Sequence, residues 1–142
     1  EDVLAKKFLN GLFPNEKIVF VQGVGELRIV DSFSSLIGKF KFPEIRVIYD
    51  GDQTSQQFRL PFDDVETYVI NNYEKFSEIS ETEDFKISDC IKRHEKHDAY
   101  LEILKILSIR EEQCLEKLVK EYKDSKWFKE ISDYINNGTI PV

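Results

Sequence analysis

The chain has 142 residues, 41% hydrophobic and 33% charged, with a formal net charge of -7, which is the makeup of one globular domain or of a small α/β unit with a helical extension. That charge excludes a basic surface as the main source of nucleic-acid affinity, so a divalent cation or a neighbouring domain has to offset phosphate repulsion. Cys90 and Cys114 lie far apart with no C-x-x-C pair, which fits two thiols in a reducing cytoplasm, and the longest apolar run, Ile18 to Val21, is far short of the roughly 18 residues of a membrane span.

Val3, Leu4, Phe8, Leu9 and Leu12 recur at helical spacing until Gly11 and Pro14 break the pattern, so the chain opens with a helix. The run KIVFV, Lys17 to Val21, reads as a strand buried on both faces of a parallel sheet, followed by a sharp turn at Gly23 and Gly25. From Glu26, the positions Leu27, Val30, Phe33, Leu36 and Ile37 predict a helix ending near Gly38. A second strand, Ile45 to Tyr49, runs into Asp50, Gly51 and Asp52, and a right-handed crossover joins the two strands in parallel. QTSQQ is a loop, Phe58 to Leu60 a third short strand, and Pro61 opens a helix-like segment, FDDVETYVINNY.

A polar linker at about Ser77 to Asp84 precedes a helical remainder with three stripes. Tyr100, Leu101, Leu104 and Leu107 line one, Leu115, Leu118, Val119 and Tyr122 the next, and Trp127, Phe128, Ile131, Tyr134 and Ile135 the last. The expected architecture is an α/β core of few parallel strands over residues 1–76, flanked by helices, with a helical extension of the same domain over 77–142. No Met occurs and the chain begins at Glu1, which is read as a fragment of a longer protein.

In a parallel sheet the carboxyl ends of the strands share one edge, where Gln22, Glu26, Asp50 and Asp52 would converge. Asp50 and Asp52 are two apart in an extended segment, so both side chains point to one side and suit one hard cation such as magnesium. Glu26 completes the cluster, and a bound cation relieves the repulsion among these carboxylates. Asp-Gly pairs also occur simply as turns and caps.

The runs VFVQGVGELRIVDSF, VIYDGD and LPFDDVETYVI resemble the TOPRIM domain of the OLD family of ATP-dependent endonucleases, and the leader EDVLAKKFLNGLF resembles the helix that often precedes its first strand. The resemblance spans Val19 to Ile70 and is loose beyond Tyr73. It implies a TOPRIM-like Rossmannoid sheet and Mg2+- or Mn2+-dependent hydrolysis of DNA phosphodiesters, in the cytoplasm and in defence against phage. It further implies an ATPase domain of the same parent chain as partner, with assembly into homo-oligomers through that ATPase. Glu26 takes the family's second acid, Asp50 and Asp52 the aspartate pair, Glu66 the later acid that serves a second metal, and Lys96 or Lys92 the lysine that stabilises charge on the phosphate. Gln22 stands where the family carries its first glutamate; an uncharged amide still touches a cation but binds it more weakly and accepts no proton.

Other chemistries fit less well. His94 and His97 could share a helix face, yet HEKH is not the H-E-x-x-H zinc pattern, and QGVGEL has Arg28 where a dinucleotide fingerprint wants its third glycine. VIYDGDQT also fits the D-x-D-x-T motif of haloacid dehalogenase-like phosphohydrolases, with Asp50 as nucleophile, but that motif belongs on a first strand and the later half reads as helices. A non-catalytic TOPRIM scaffold used for interaction is the third reading, which Gln22 favours.

Overall fold

The structure, a computed structural model, describes residues 2–18, 24–37 and 46–137. These form α1 (Asp2–Leu12), α2 (Val24–Ile37), α3 (Val65–Asn71), a 3-10 turn (Tyr73–Lys75), α4 (Glu81–Arg93), α5 (Lys96–Leu107), α6 (Glu111–Tyr122) and α7 (Lys126–Asn137). The α/β parallel-sheet expectation is therefore corrected: among the described residues the only β pairing is one parallel bridge, Tyr49 with Arg59. The Tyr49 N–H donates to Phe58 O (3.0 Å) and the Leu60 N–H to Tyr49 O (2.8 Å), and among the described residues no ladder continues from them.

The physical reason lies in what satisfies the neighbouring backbone. The Val47 N–H donates to the Tyr134 hydroxyl (2.9 Å), and the Arg59 carbonyl accepts from the Trp127 indole N–H (2.7 Å). Both partners belong to α7, so a helix takes the hydrogen-bonding places that adjacent strands would hold. Arg46 Nε also donates to the Tyr134 carbonyl (2.9 Å), and the Tyr134 ring stacks on Phe58 with centroids 3.7 Å apart. Most of the KIVFV run and Ile45 lie outside the described residues.

The helices follow the apolar spacing. Leu4, Phe8 and Leu12 form a buried i, i+4, i+8 stripe on α1, while Val3 is exposed. Gly11 lies inside α1 rather than ending it, and a Cβ there would stand 2.7 Å from Val119 Cγ2, so its missing side chain lets α1 approach α6 closely. The proposed linker is also corrected, because α4 begins at Glu81 with a capping box: the Ser80 hydroxyl accepts from the Glu83 N–H while the Glu83 carboxylate accepts from the Ser80 N–H. On α5 the buried face is Ala99, Tyr100, Ile103, Leu104 and Leu107, and Leu101 points outward. Ser108 ends α5 in the left-handed region (φ 56°), where its N–H satisfies the last-turn carbonyls of Leu104 and Lys105.

One apolar cluster joins Leu4 and Phe8 of α1, Phe62, Val65 and Val69 around α3, Ile87 of α4, Tyr100 and Ile103 of α5, and Leu118 of α6. It holds residues from both sides of residue 76. Among the described residues no helix is long and apolar enough to cross a membrane.

Tyrosines in and around this core make an alkaline prediction. Burial, with Asp31 as hydrogen-bond acceptor, pushes the Tyr49 hydroxyl up to about 12, and burial with Glu121 as acceptor pushes Tyr68 up to about 12. Burial raises Tyr100 and Tyr122 as well. Unfolded phenols ionise near about pH 10. A raised folded-state value means that the stability these groups contribute is complete below that pH and is lost as pH climbs through the folded value. Unfolding is expected between about pH 10 and 12, with tyrosinate absorbance and loss of helical circular dichroism rising together. Full tyrosine ionisation near pH 10 with the helices intact would contradict this.

Candidate functional site

The single bridge at Tyr49 positions the acidic turn. Holding Tyr49 beside Arg59 places Asp50, Gly51 and Asp52 against the segment that leads into α3, and Gly51 meets it backbone to backbone. A Cβ on Gly51 would stand 2.0 Å from the Phe62 carbonyl oxygen. The turn is closed locally, with the Gln53 N–H donating to Asp50 O (3.1 Å) and the Thr54 N–H to Asp52 O (2.9 Å). Asp50 and Asp52 are both exposed. Beside the turn an open cleft of about 590 Å³ is bounded by Gly51, Thr54, Gln56, Asp63, Trp127 and Glu130. Arg59 supports its floor, donating from one nitrogen to Thr54 O (2.8 Å) and Gln56 O (3.0 Å).

The chain continues directly from this turn's contact into the start of α3. Asp64 caps that helix, accepting from the Thr67 N–H (2.8 Å), and its other oxygen pairs with Lys96 Nζ (3.0 Å). Glu66 stands in the first turn of α3 with 1% exposure, and its Oε1 lies 2.8 Å from His97 Nδ1. Its Oε2 is buried, with no hydrogen-bond partner among the described residues. The His97 side chain is 66% exposed. The starts of α3 and α5 thus meet through two acid–base pairs, Asp64 with Lys96 and Glu66 with His97.

The other expected site residues are placed as follows. Gln22 lies outside the described residues. Glu26 is exposed in the first turn of α2. The Tyr49 hydroxyl donates to Asp31 Oδ2 (2.8 Å), so the face of α2 turned toward the acidic turn is that of Asp31. Five residues along a helix amount to roughly 140° of rotation, which puts Glu26 on a different face. Among the described residues no three His, Cys, Asp or Glu side chains are grouped to hold a metal ion. Lys92 is exposed in the last turn of α4. His94 ends α4 and His97 lies in α5, so the two histidines sit on separate helices rather than on one face.

The chain matches no family model, no curated protein and no solved structure. Thiol chemistry has little support, since burial pushes the Cys114 thiol up to about 12 and raises that of Cys90 too. Sequence reasoning missed the Glu66–His97 pair. The partners are 31 residues apart on different helices, and no short-range pattern links them.

Proposed function

We propose that the chain is the hydrolytic module of a metal-dependent DNA-cutting protein, with Asp50 and Asp52 as the carboxylates that hold magnesium or manganese. The observation that carries the reading is the close seat of Gly51 on the Phe62–Asp63 backbone. It presents an exposed aspartate pair on either side of Gly51, which with Asp63 of a second acidic segment lines an open cleft. The likeness of VIYDGD and LPFDDVETYVI to OLD-family nucleases supports the same chemistry; the sheet that likeness implied is not carried over.

The donor set fits a magnesium-type ion in one way. Magnesium is commonly held by one or two carboxylates with water and substrate phosphate oxygens, and two hard oxygen donors on one tight turn suit that arrangement. An all-protein cage would need more ligands than the described residues bring together. When bound, the cation neutralises charge on the scissile phosphate. Asp50 and Asp52 orient it, and Lys96, tethered by Asp64, adds positive charge at the edge of the α3–α5 junction. The chain's own charge of -7 leaves attraction to DNA to the cation and to a partner, for which an ATPase domain of the same parent chain is the proposed source.

Plasmid nicking tests this, with wild type and Gln22→Glu assayed in magnesium and in manganese. Cleavage is expected in at least one combination. Asp50→Ala should reduce it by about 100-fold or more, on the scale of removing one electrostatic stabiliser of a reaction. Silence of both proteins in both metals would sink the reading. Turnover of a small phosphate ester with a phospho-aspartate at Asp50 would replace it by the phosphohydrolase.

A further inference from the structure

Resting on the hydrolytic reading above, we infer that the cleft beside the acidic turn holds an unpaired nucleotide of the strand that is cut, with its phosphate on Arg59 and its base against Trp127. The substrate class is therefore single-stranded or locally unpaired DNA rather than intact duplex. Gly51 lines the cleft, and the two aspartates are its chain neighbours, each with its Cα about 3.8 Å away. A nucleotide in the cleft thus lies next to the turn whose carboxylates hold the cation.

Size and lining select the ligand. The cleft's volume of about 590 Å³ falls among sites for small organic ligands, about 300–1,000 Å³. One nucleotide fits such a hollow, whereas the paired bases of a duplex must leave their stack to enter it. Arg59 lines the cleft with its guanidinium only partly engaged. Its Nη1 donates to the Thr54 and Gln56 carbonyls (2.8 and 3.0 Å), which anchors the group. Among the described residues its Nε and Nη2 make no hydrogen bond and no carboxylate pairs with it. Those donors form an anchored fork of the kind that takes two phosphate oxygens. The Trp127 Nε1–H is held by the Arg59 carbonyl (2.7 Å) and its ring stacks on the buried Phe8. The indole is therefore a rigid apolar wall of the cleft, and a base of any identity packs on an aromatic surface. Asp63 and Glu130, also in the lining, repel further phosphates, which confines the strand's charge to Arg59.

Trp127 is the chain's single tryptophan, so its fluorescence reads the cleft without any need for cleavage. With calcium in place of magnesium, single-stranded oligothymidylate is expected to quench that emission, and a blunt hairpin duplex of equal length to bind about tenfold more weakly or less. Arg59→Lys keeps the charge but loses the fork, and should weaken oligothymidylate by about tenfold. Because Arg59 also supports the loop, a second variant leaves it in place. Glu130→Lys puts a cation at an exposed position of the lining and should tighten binding several-fold. Glu112→Lys, of the same net charge but on the exposed first turn of α6 and outside the lining, should tighten it clearly less. Unchanged Trp127 emission, equal affinity for the duplex, or equal gains from the two lysine variants overturns the inference. Cleavage by the same protein then leaves the hydrolytic reading standing. Quenching by oligothymidylate with no cleavage in magnesium or manganese, in wild type and Gln22→Glu alike, sinks the hydrolytic reading while the cleft keeps its ligand.

Discussion

Replacing Phe8 by alanine is expected to lower the unfolding free energy by about 3–5 kcal/mol, the range found for large aromatic-to-alanine changes in tightly packed cores. Phe8 is fully buried, and its ring meets three others, with centroids 5.2 Å from Phe62, 5.9 Å from Tyr122 and 5.9 Å from Trp127. Those partners lie on the segment before α3, at the end of α6 and at the start of α7. One truncation therefore opens a cavity where four parts of the chain meet, and none can close it without breaking contacts elsewhere. Domains of this size are stable by about 5–15 kcal/mol, so the variant should sit near the edge of folding at 37 °C. Urea unfolding followed by helical circular dichroism measures the loss, and Trp127 fluorescence reports the same site. Phe8→Leu, which refills much of the space, should lose clearly less. A change below about 1 kcal/mol for Phe8→Ala would show that this ring cluster is not the centre of the core.

The same cluster shows why some elements were legible in the sequence and others were not. Helices α1 and α5 to α7 follow from apolar spacing alone, because each buries one face and the period of 3.6 survives in Leu4, Phe8 and Leu12 or in Leu115 and Leu118. The start of α4 was also written locally. Ser80 and Glu83 spell a capping box, but the polarity of Ser77 to Asp84 hid it behind a linker reading. The parallel strands were a different kind of error. A short β-branched run such as Val47 to Tyr49 is extended in either case, and whether a ladder forms depends on who supplies the hydrogen-bond partners. Here Tyr134, 87 residues away, supplies one of them, and no local pattern carries that information. The candidate site divides in the same way. Asp50 and Asp52 stand out because a D-G-D turn is local, and Lys96 and Glu66 were named from the family likeness. The partners Asp64 and His97 that hold those two depend on how α3 meets α5.

Replacing Gly51 by alanine is the sharpest test of the link between fold and proposed chemistry, and about 100-fold loss of cleavage is expected from a single added methyl. The new Cβ would stand 2.0 Å from the Phe62 carbonyl oxygen, 2.4 Å from its carbonyl carbon and 3.0 Å from the Asp63 nitrogen. All three are backbone atoms, so no side chain can swing aside. Ordinary contact needs about 3.5 Å, and the turn must therefore retreat by roughly 1 Å or more. That movement strains the bonds Tyr49 N–H to Phe58 O and Leu60 N–H to Tyr49 O, at a cost of about 1–3 kcal/mol in stability. It also draws Asp50 and Asp52 away from Asp63 and the helix starts beyond it, and a displacement of about 1 Å is enough to cost roughly 100-fold in a positioned reaction. Gly25→Ala is the matched control, since among the described residues nothing lies within 4 Å of its added Cβ and its place in α2 favours alanine. That variant should be as stable as wild type or more so, with cleavage unchanged. If Gly51→Ala instead cuts DNA at the wild-type rate, the seat of the acidic turn on the Phe62–Asp63 backbone has no part in the chemistry, and the aspartate pair loses its strongest structural support.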